Sequence, residues 1–246
     1  MLMKKLLWTA CAAIALTASA GINAEEYVVG TGATYRPFEY ETPQKELVGF
    51  DVDLMRAIAK AEGFDVKFAT VDKGDRDIIM SGITITDKRK QVVDFSKPYF
   101  LAHQLILTDK SVKINKLSDL SKGSVAVVSG SAGDVAASKA FGKASTRIRR
   151  FDNTPLALEE LNQGGVVAAI GDIGVLAFYA RNNPDKHFNM TRDPAFEEQY
   201  FGIAVKKGNQ KLIDKINAGL EKVIASGEYN KIYRKWFGTD APKLPQ

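Results

Sequence analysis

The chain has 246 residues, of which 45% are hydrophobic and 26% are charged, so it is long enough for one large domain or two lobes with ample core. This ordinary composition excludes a function carried by a disordered chain. The net charge of +5 is too small to indicate nucleic acid or an anionic membrane as a partner.

The first 24 residues are typical of a bacterial secretory signal peptide. Lys4 and Lys5 provide the positive start, and Leu6–Ala18 is an apolar run too short to span a membrane. Two cleavage sites fit, one after Ala20 and one after Ala24. The second is favoured, because it leaves a short acidic lead-in before the first strand. The protein is therefore expected to work in the periplasm.

Cys11 is the only cysteine and lies inside this leader. Its flanking residues do not fit a lipid attachment site. Disulfide bonds, a catalytic thiol and cysteine metal ligands are therefore excluded for the mature chain.

Patterns of apolar residues, glycine and proline predict alternating strands and helices. Strands are expected at 27–32, 64–70, 77–81, 104–108, 123–129, 166–170 and 201–205. Helices are expected at 49–62, up to 141 after the turn at 130–134, from 154 to just before Gly164, and at 173–181, 210–226 and 229–237. This alternation predicts an α/β fold with largely parallel sheets, which place ligand sites where strands end.

The stretch from Ser81 to Phe95 has the features of an anion-binding loop. Thr86 followed by Asp87 predicts a helix start, which puts Arg89 in the first turn, close to the preceding loop. An arginine beside loop hydroxyls and free N–H groups suits a carboxylate, because it can donate two parallel hydrogen bonds. The alternative is that Arg89 is simply one charge on a solvated face.

A second candidate loop, Ser131–Asp134, precedes a helix whose first N–H groups favour an anion. The same residues also fit a plain capping turn. They lack the Lys-Ser/Thr ending of a P-loop, so a nucleotide is not expected.

Several stretches together resemble one family, the periplasmic solute-binding proteins that serve ABC importers of polar amino acids. They run in family order over nearly the whole mature chain, and the group most similar binds glutamine, histidine or basic amino acids. The matching stretches are VVGTGATYRPFEY (28–40), GFDVDL (49–54), SGITITDKRK (81–90), VDFSKPYF (93–100), VSGSAG (128–133), the Gly171-Asp172 turn, QYFGIAV (199–205) and EYNKIYRKWFG (228–238).

This resemblance implies a type II periplasmic binding protein fold, with two α/β lobes joined by two strands and the ligand between them. Lobe 1 is expected at 25–102 and 201–246, and lobe 2 at 103–200. The hinges are expected near 102–104 and 199–201.

The resemblance also implies roles for individual residues. Arg89 is expected to bind the ligand carboxylate, Asp172 its ammonium group, and Tyr35 to pack against the ligand. Further contacts to the carboxylate are expected from Ser81, Gly82, Thr84, Ser131 and Ala132. Without the resemblance, Asp172 would be an ordinary helix N-cap and Tyr35 a half-buried loop aromatic.

Two features depart from the family pattern. Gly32 stands where many relatives carry an acidic residue, so one acceptor for the ligand side chain is expected to be missing. Only four residues separate Asp72 from Asp77, where the family has an aromatic residue and a helix. Either the strand before Asp72 is shortened or moved, or this edge of lobe 1 is rebuilt. We expect a pocket that is wider on this side.

The predicted function is binding of a free amino acid and its delivery to an ABC importer permease by hinge closure. No catalytic residue, cofactor, metal or nucleic acid is expected, and the protein is expected to be a monomer. Two alternatives use the same fold: a lyase similar to cyclohexadienyl dehydratase, or a receptor module for a sensor kinase. The lyase would need a general acid in the cleft besides Asp172, and the sequence suggests none.

Overall fold

The computed structural model describes residues 24–71, 75–120 and 122–245, so the predicted signal peptide lies outside the described residues except for Ala24. The first part of the chain forms β1 (Glu26–Thr31), β2 (Thr34–Tyr35), β3 (Glu39–Glu41), β4 (Leu47–Val48), α1 (Phe50–Glu62), β5 (Asp65–Thr70), β6 (Ile78–Ile79), α2 (Asp87–Lys90), β7 (Val93–Phe95) and β8 (Phe100–Ala102). The middle part forms β9 (Gln104–Thr108), β10 (Val125–Val128), α3 (Ala132–Phe141), β11 (Ile148–Phe151), α4 (Thr154–Asn162), β12 (Ala168–Asp172), α5 (Ile173–Asn182) and β13 (Asn189–Thr191). The last part forms β14 (Gln199–Phe201), β15 (Ala204–Lys206), α6 (Gln210–Ala225) and α7 (Glu228–Phe237).

The first sheet has the strand order β5-β1-β6-β15-β7. Its strands β5, β1 and β6 are parallel, whereas β15 runs antiparallel to β6 and β7. Helix α1 covers the sheet with Phe50, Leu54 and Ile58, which are fully buried. It ends at Gly63, whose positive φ of 68° closes the helix as the sequence predicts. Helices α6 and α7 pack beside α1 and complete this core.

The second sheet has the strand order β11-β10-β12-β9-β13 and lies between two layers of helices. Leu158 and Leu161 of α4 cover one face, and Ala137 of α3 covers the other. Because both faces are buried, β10 reads as an uninterrupted apolar run. Strands β11, β10 and β12 are parallel, and β9 is antiparallel to β12 and β13. Each sheet is therefore mixed, whereas the sequence predicted largely parallel sheets.

Two short strands connect the sheets. Strand β8 leads out of the first sheet, β14 leads back into it, and the two pair antiparallel, with Phe100 opposite Phe201 and Ala102 opposite Gln199. The predicted α/β fold with two lobes is confirmed. A cavity lies between the lobes, where the loops that follow the strands meet.

The link from β5 to β6 departs from the expectation for residues 72–77. Strand β5 is neither shortened nor moved, because all six of its residues pair with β1. The edge is rebuilt instead, because the two-residue strand β6 pairs parallel with β1 on the side opposite β5. Thr70 pairs with Thr31 and Ile78 with Val29, so the chain needs to return by only two positions. The seven residues between the two strands are enough in number to cover that distance.

The link packs directly on β1. The Asp77 amide donates to the Val28 carbonyl at 3.0 Å, and the Asp77 carboxylate accepts from the Val28 amide at 2.8 Å. A Cβ atom on Gly30 would lie 2.9 Å from Arg76 Cγ, so the glycine makes room for the crossing. None of the described link residues lines the cavity.

Candidate functional site

One cavity of about 250 Å³ lies between the lobes. It is lined by every residue that the sequence singled out as ligand-binding, and these residues come from both lobes. The lobe 1 side carries Gly32, Tyr35, Ser81, Gly82, Thr84 and Arg89, and the lobe 2 side carries Ser131, Ala132 and Asp172.

Arg89 is held at the cavity by its own short helix. The Thr86 hydroxyl accepts a hydrogen bond from the Arg89 amide at 3.2 Å, so α2 starts where the sequence predicts. The Arg89 guanidinium turns back and donates from Nη1 to the Thr84 carbonyl at 2.9 Å. This contact fixes the side chain while leaving other N–H groups for a carboxylate.

Asp172 ends β12 and precedes α5, but its side chain does not cap that helix. Its carboxylate accepts from the Tyr35 hydroxyl and, at 2.8 Å, from Gln104 Nε2. Asp172 is therefore the N-cap of α5 by position, but its carboxylate makes no capping hydrogen bond. Burial raises the pKa of Asp172 to about 6, although the hydrogen bonds from Tyr35 and Gln104 and the charge of Arg89 oppose that rise.

The ring of Tyr35 forms one wall of the cavity. It stacks on Phe38 with ring centroids 5.5 Å apart, and burial raises the pKa of its hydroxyl, so it stays a hydrogen-bond donor. Gly82 has a positive φ of 52°, and a Cβ there would lie 2.6 Å from Tyr35 Cε1. Only glycine combines this backbone conformation with such a close ring.

The lobe 2 loop has the geometry of a capped helix start. The Ser131 hydroxyl accepts from the Asp134 amide at 3.2 Å, and α3 begins at Ala132. The capping interpretation is thus correct for the Ser131 hydroxyl. This cap does not conflict with an anion-binding role, because the first backbone N–H groups of a helix such as α3 still carry a positive partial charge.

The neighbourhood of Gly32 contains an acidic residue that sequence reasoning missed. A Cβ on Gly32 would lie 3.2 Å from Glu39 Oε1, so β3 brings a carboxyl group to the place where an acceptor was expected to be missing. Ser81 connects the two, donating to Glu39 Oε1 at 2.7 Å and accepting from the Gly32 amide at 3.0 Å. The Ser81 hydroxyl is thereby engaged within lobe 1.

Sequence reasoning also missed Gln104, although it is a polar residue at the start of β9, a strand whose residues are all buried. Its amide orients the carboxylate of Asp172.

In the described part of the chain, no three His, Cys, Asp or Glu side chains are grouped so that they could hold a metal ion. Nor does any helix of the described ranges combine the length and apolarity needed to cross a bilayer.

The cavity therefore presents opposite charges from opposite lobes. Arg89 comes from lobe 1 and Asp172 from lobe 2, and each shifts the pKa of the other in the direction expected of an attraction. A ligand that carries a carboxylate and an ammonium group on neighbouring atoms matches this arrangement.

Comparison with known proteins shows which family the chain resembles. The family model for bacterial extracellular solute-binding proteins, family 3, matches residues 27–239. A probable histidine-binding protein of Neisseria gonorrhoeae is 41% identical, with 94% of each chain covered. The ABC transporter glutamine-binding protein GlnH of Bacillus subtilis is 35% identical, covering 88% of this chain and 82% of the relative.

A solved structure is also similar. The arginine-, lysine-, histidine-binding protein ArtJ of Geobacillus stearothermophilus superposes with a TM-score of 0.81 at 41% identity, covering 89% of this chain and 97% of ArtJ. The match of the family model over most of the chain, together with these identities, is sufficient for assignment. The chain belongs to family 3 of the bacterial extracellular solute-binding proteins.

Proposed function

We propose that this protein binds a free polar amino acid between its lobes and delivers it to an ABC importer. The observation that carries the proposal is the pair of opposite charges, Arg89 and Asp172, that line one cavity from different lobes. Relatives named for binding histidine, glutamine, arginine or lysine support a ligand of the same chemical class.

Different residues of the cavity bind different parts of the amino acid. Arg89 receives the carboxylate together with Thr84, Gly82 and the backbone at Ser81, and the N-terminus of α3 at Ser131 and Ala132 adds N–H groups from lobe 2. Asp172 receives the ammonium group. Tyr35 and Gly32 contact the rest of the ligand. A buried ion pair of this kind is stable only if both partners are present, because each charge alone pays a desolvation penalty.

Closure of the lobes follows from this division. Lobe 1 comprises 25–102 and 201–246, and lobe 2 comprises 103–200, with hinges in β8 and β14 and at their ends. A zwitterion bound by both lobes satisfies charges that the open cleft would leave to water, so it shifts the population toward the closed form. The permease of the importer then recognises that form.

The protein is secreted through its 24-residue signal peptide and works in the periplasm as a monomer. It is a binding protein and does not turn over its ligand. The cleft presents Asp172 to the ligand ammonium, which leaves that carboxylate no proton to donate while the ligand is bound.

The first experiment is thermal unfolding of the mature protein with each of the twenty amino acids, and with prephenate and arogenate. A ligand that binds only the folded state raises the melting temperature by mass action. We expect a rise with one or a few polar amino acids and its loss in Arg89→Ala. Absence of any rise with all twenty, or conversion of prephenate or arogenate, would overturn the proposal.

Delivery is tested in cells that lack the gene. We expect them to lose high-affinity uptake of the amino acid that raises the melting temperature, and a plasmid copy to restore it. Normal uptake in these cells would exclude the importer role and favour the sensor alternative.

A further inference from the structure

Arg181, near the end of α5, contacts the other lobe outside the ligand cavity. Helix α5 packs on β9 and β12 of the second sheet, whereas α7 packs on α1 and α6 beside the first sheet. The Arg181 guanidinium donates from Nη1 to the Phe237 carbonyl at 2.8 Å and from Nη2 to the Trp236 carbonyl at 3.4 Å. These two hydrogen bonds therefore join helices that belong to different sheets.

The end of α7 is suited to a cation. The last carbonyl groups of a helix lack a donor within the helix and carry a negative partial charge. Helix α7 ends at Phe237, and the Gly238 amide closes it by donating to the Arg234 carbonyl at 2.9 Å. That bond leaves the carbonyls of Trp236 and Phe237 as the acceptors that Arg181 contacts. A side chain from one lobe thus supplies donors to a helix end of the other.

Neighbouring residues leave room for the guanidinium and support it. Gly238 has a positive φ of 76°, and a Cβ there would lie 3.3 Å from Arg181 Nη1, so the glycine allows the close approach. On α5, Phe178 precedes Arg181 by three residues and lies on the same face of the helix. Its ring centroid is 5.6 Å from the guanidinium carbon. The side chain is therefore supported by its own helix while its N–H groups face the other lobe.

Helix α5 contacts lobe 1 at both of its ends. At its start, the Asp172 carboxylate accepts from the Tyr35 hydroxyl and lines the cavity. Arg181 follows Asp172 by nine residues, which is about 13 Å along a helix. One end of α5 is thus held at the ligand cavity and the other end at α7. Because a helix of this length moves as a rigid rod, a contact at one end restrains the position of the other.

We infer that Arg181 is a positioning residue for ligand binding, which stabilises the closed arrangement of the lobes without touching the ligand. This assignment rests on the proposed function, in which the lobes close around an amino acid. When the lobes separate, the end of α7 exchanges Arg181 for water, so the contact favours the closed form. Its contribution does not depend on the ligand, and it therefore raises the affinity for every ligand by the same factor.

The experiment compares Arg181→Ala with the unsubstituted mature protein by isothermal titration calorimetry and stopped-flow fluorescence. The probes are the amino acids that raise the melting temperature, beginning with L-histidine, L-arginine and L-glutamine. Since Arg181 is exposed to solvent, we expect each dissociation constant to rise about two- to fivefold, by the same factor for every probe. The rise should come from faster dissociation, with the association rate nearly unchanged.

Further measurements separate positioning from general damage to the fold. Arg181→Lys should restore part of the affinity, because the lysine ammonium keeps the charge but cannot donate through a planar fork. The difference between Arg181→Ala and the unsubstituted protein should shrink at about 1 M salt, which screens exposed charges. The melting temperature of the ligand-free variant should stay nearly constant.

Lys186→Ala is the matched control. Lys186 is an exposed cation of the same lobe, in the short turn that follows α5. We expect it to leave every affinity unchanged. An equal loss in Lys186→Ala would trace the effect to the charge of lobe 2 in general and would overturn the assignment to Arg181.

The other failures are also distinguishable. Unchanged affinities in Arg181→Ala overturn this inference and leave the proposed function intact. So does a loss that differs from probe to probe, because it would show that Arg181 acts on the ligand itself. Failure of the unsubstituted protein to bind any of the twenty amino acids overturns the proposed function, and this inference with it. If Arg181→Ala does not fold by circular dichroism, Arg181→Gln, which also lacks the charge, decides by the same measurements.

Discussion

The hydroxyl of Tyr35 donates a hydrogen bond to the carboxylate of Asp172, and this bond joins the two lobes across the cavity. The residues are 137 positions apart, one on the β2 strand of lobe 1 and the other at the end of β12 in lobe 2. Asp172 is also the group that we assign to the ligand ammonium. The same carboxylate therefore serves a contact within the protein and a contact with the ligand.

Removing the Tyr35 hydroxyl should open the ligand-free protein. In Tyr35→Phe, one hydrogen bond between the lobes is lost, which reduces the closed population about two- to tenfold. Small-angle X-ray scattering without ligand should show a larger radius of gyration. Tyr40→Phe removes a hydroxyl from the next strand and should change nothing. Equal scattering from Tyr35→Phe and the unsubstituted protein would contradict the prediction.

Ligand affinity should fall as the pH is lowered through about 6, because the ligand ammonium needs the ionised form of Asp172 and burial holds its pKa near that value. Well below that pH the loss approaches tenfold per pH unit. This pH dependence can be measured by isothermal titration calorimetry, with an amino acid that binds and whose side chain is uncharged. Asp172→Asn should bind weakly and without this pH dependence. The same pH dependence in Asp172→Asn would assign it to another group.

Stability of the ligand-free protein should change in the opposite direction. The pKa of Asp172 is about 6 in the folded state and about 4 in an unfolded chain, so folding favours the protonated form. Its contribution to the free energy of unfolding therefore decreases as the pH rises from about 4 to 6. Denaturant unfolding at these pH values should show a smaller decrease in Asp172→Asn.

Loss of the Arg89 guanidinium should weaken ligand binding without unfolding the protein. Arg89→Ala removes a charge-assisted contact to the carboxylate, and we expect the dissociation constant to rise about tenfold to a hundredfold. The matched control is Lys88→Ala, because Lys88 is an exposed neighbour in the same short helix. Arg89→Lys should recover only part of the affinity, since lysine cannot donate the two parallel hydrogen bonds. An equal loss of affinity in Lys88→Ala would show that the effect comes from disturbance of helix α2 and not from the Arg89 guanidinium.

A methyl group at Gly174 should hinder closure. A Cβ there would lie 2.8 Å from Phe38 Cζ and 3.3 Å from Phe237 Cε1, so α5 of lobe 2 could not approach lobe 1 as closely. Phe38 is fully buried among other rings and cannot move aside. We expect Gly174→Ala to lower ligand affinity about tenfold while the melting temperature of the free protein stays nearly constant.

The second variant in this test is Gly174→Ala combined with Phe38→Leu. The smaller side chain removes the ring atoms that the new methyl group would meet, so part of the affinity should return. The coupling between the two substitutions measures the contact directly. Simple additivity of the two losses would show that the lobes do not meet at this point.

The sequence by itself determined the local features of this protein. The start of α2 at Thr86 and the end of α1 at Gly63 depend on hydrogen bonds and backbone angles within a few residues, so patterns along the chain predict them. The alternation of strands and helices likewise predicted an α/β fold. The residues of the cavity could be named because they follow strand ends and resemble a family motif.

Only the tertiary structure decided which distant groups meet. The approach of Arg181 to Phe237, and of Gln104 to Asp172, depends on how separate strands and helices pack, and no local pattern encodes such a pairing. The link after β5 illustrates the same limit, because its length predicted either a shortened or moved strand or a rebuilt edge and did not decide between them. The register of β6 against β1 shortened the path, and Gly30 left room for it. Long-range pairing is the sum of many weak contacts, whereas a helix cap depends on a few neighbours.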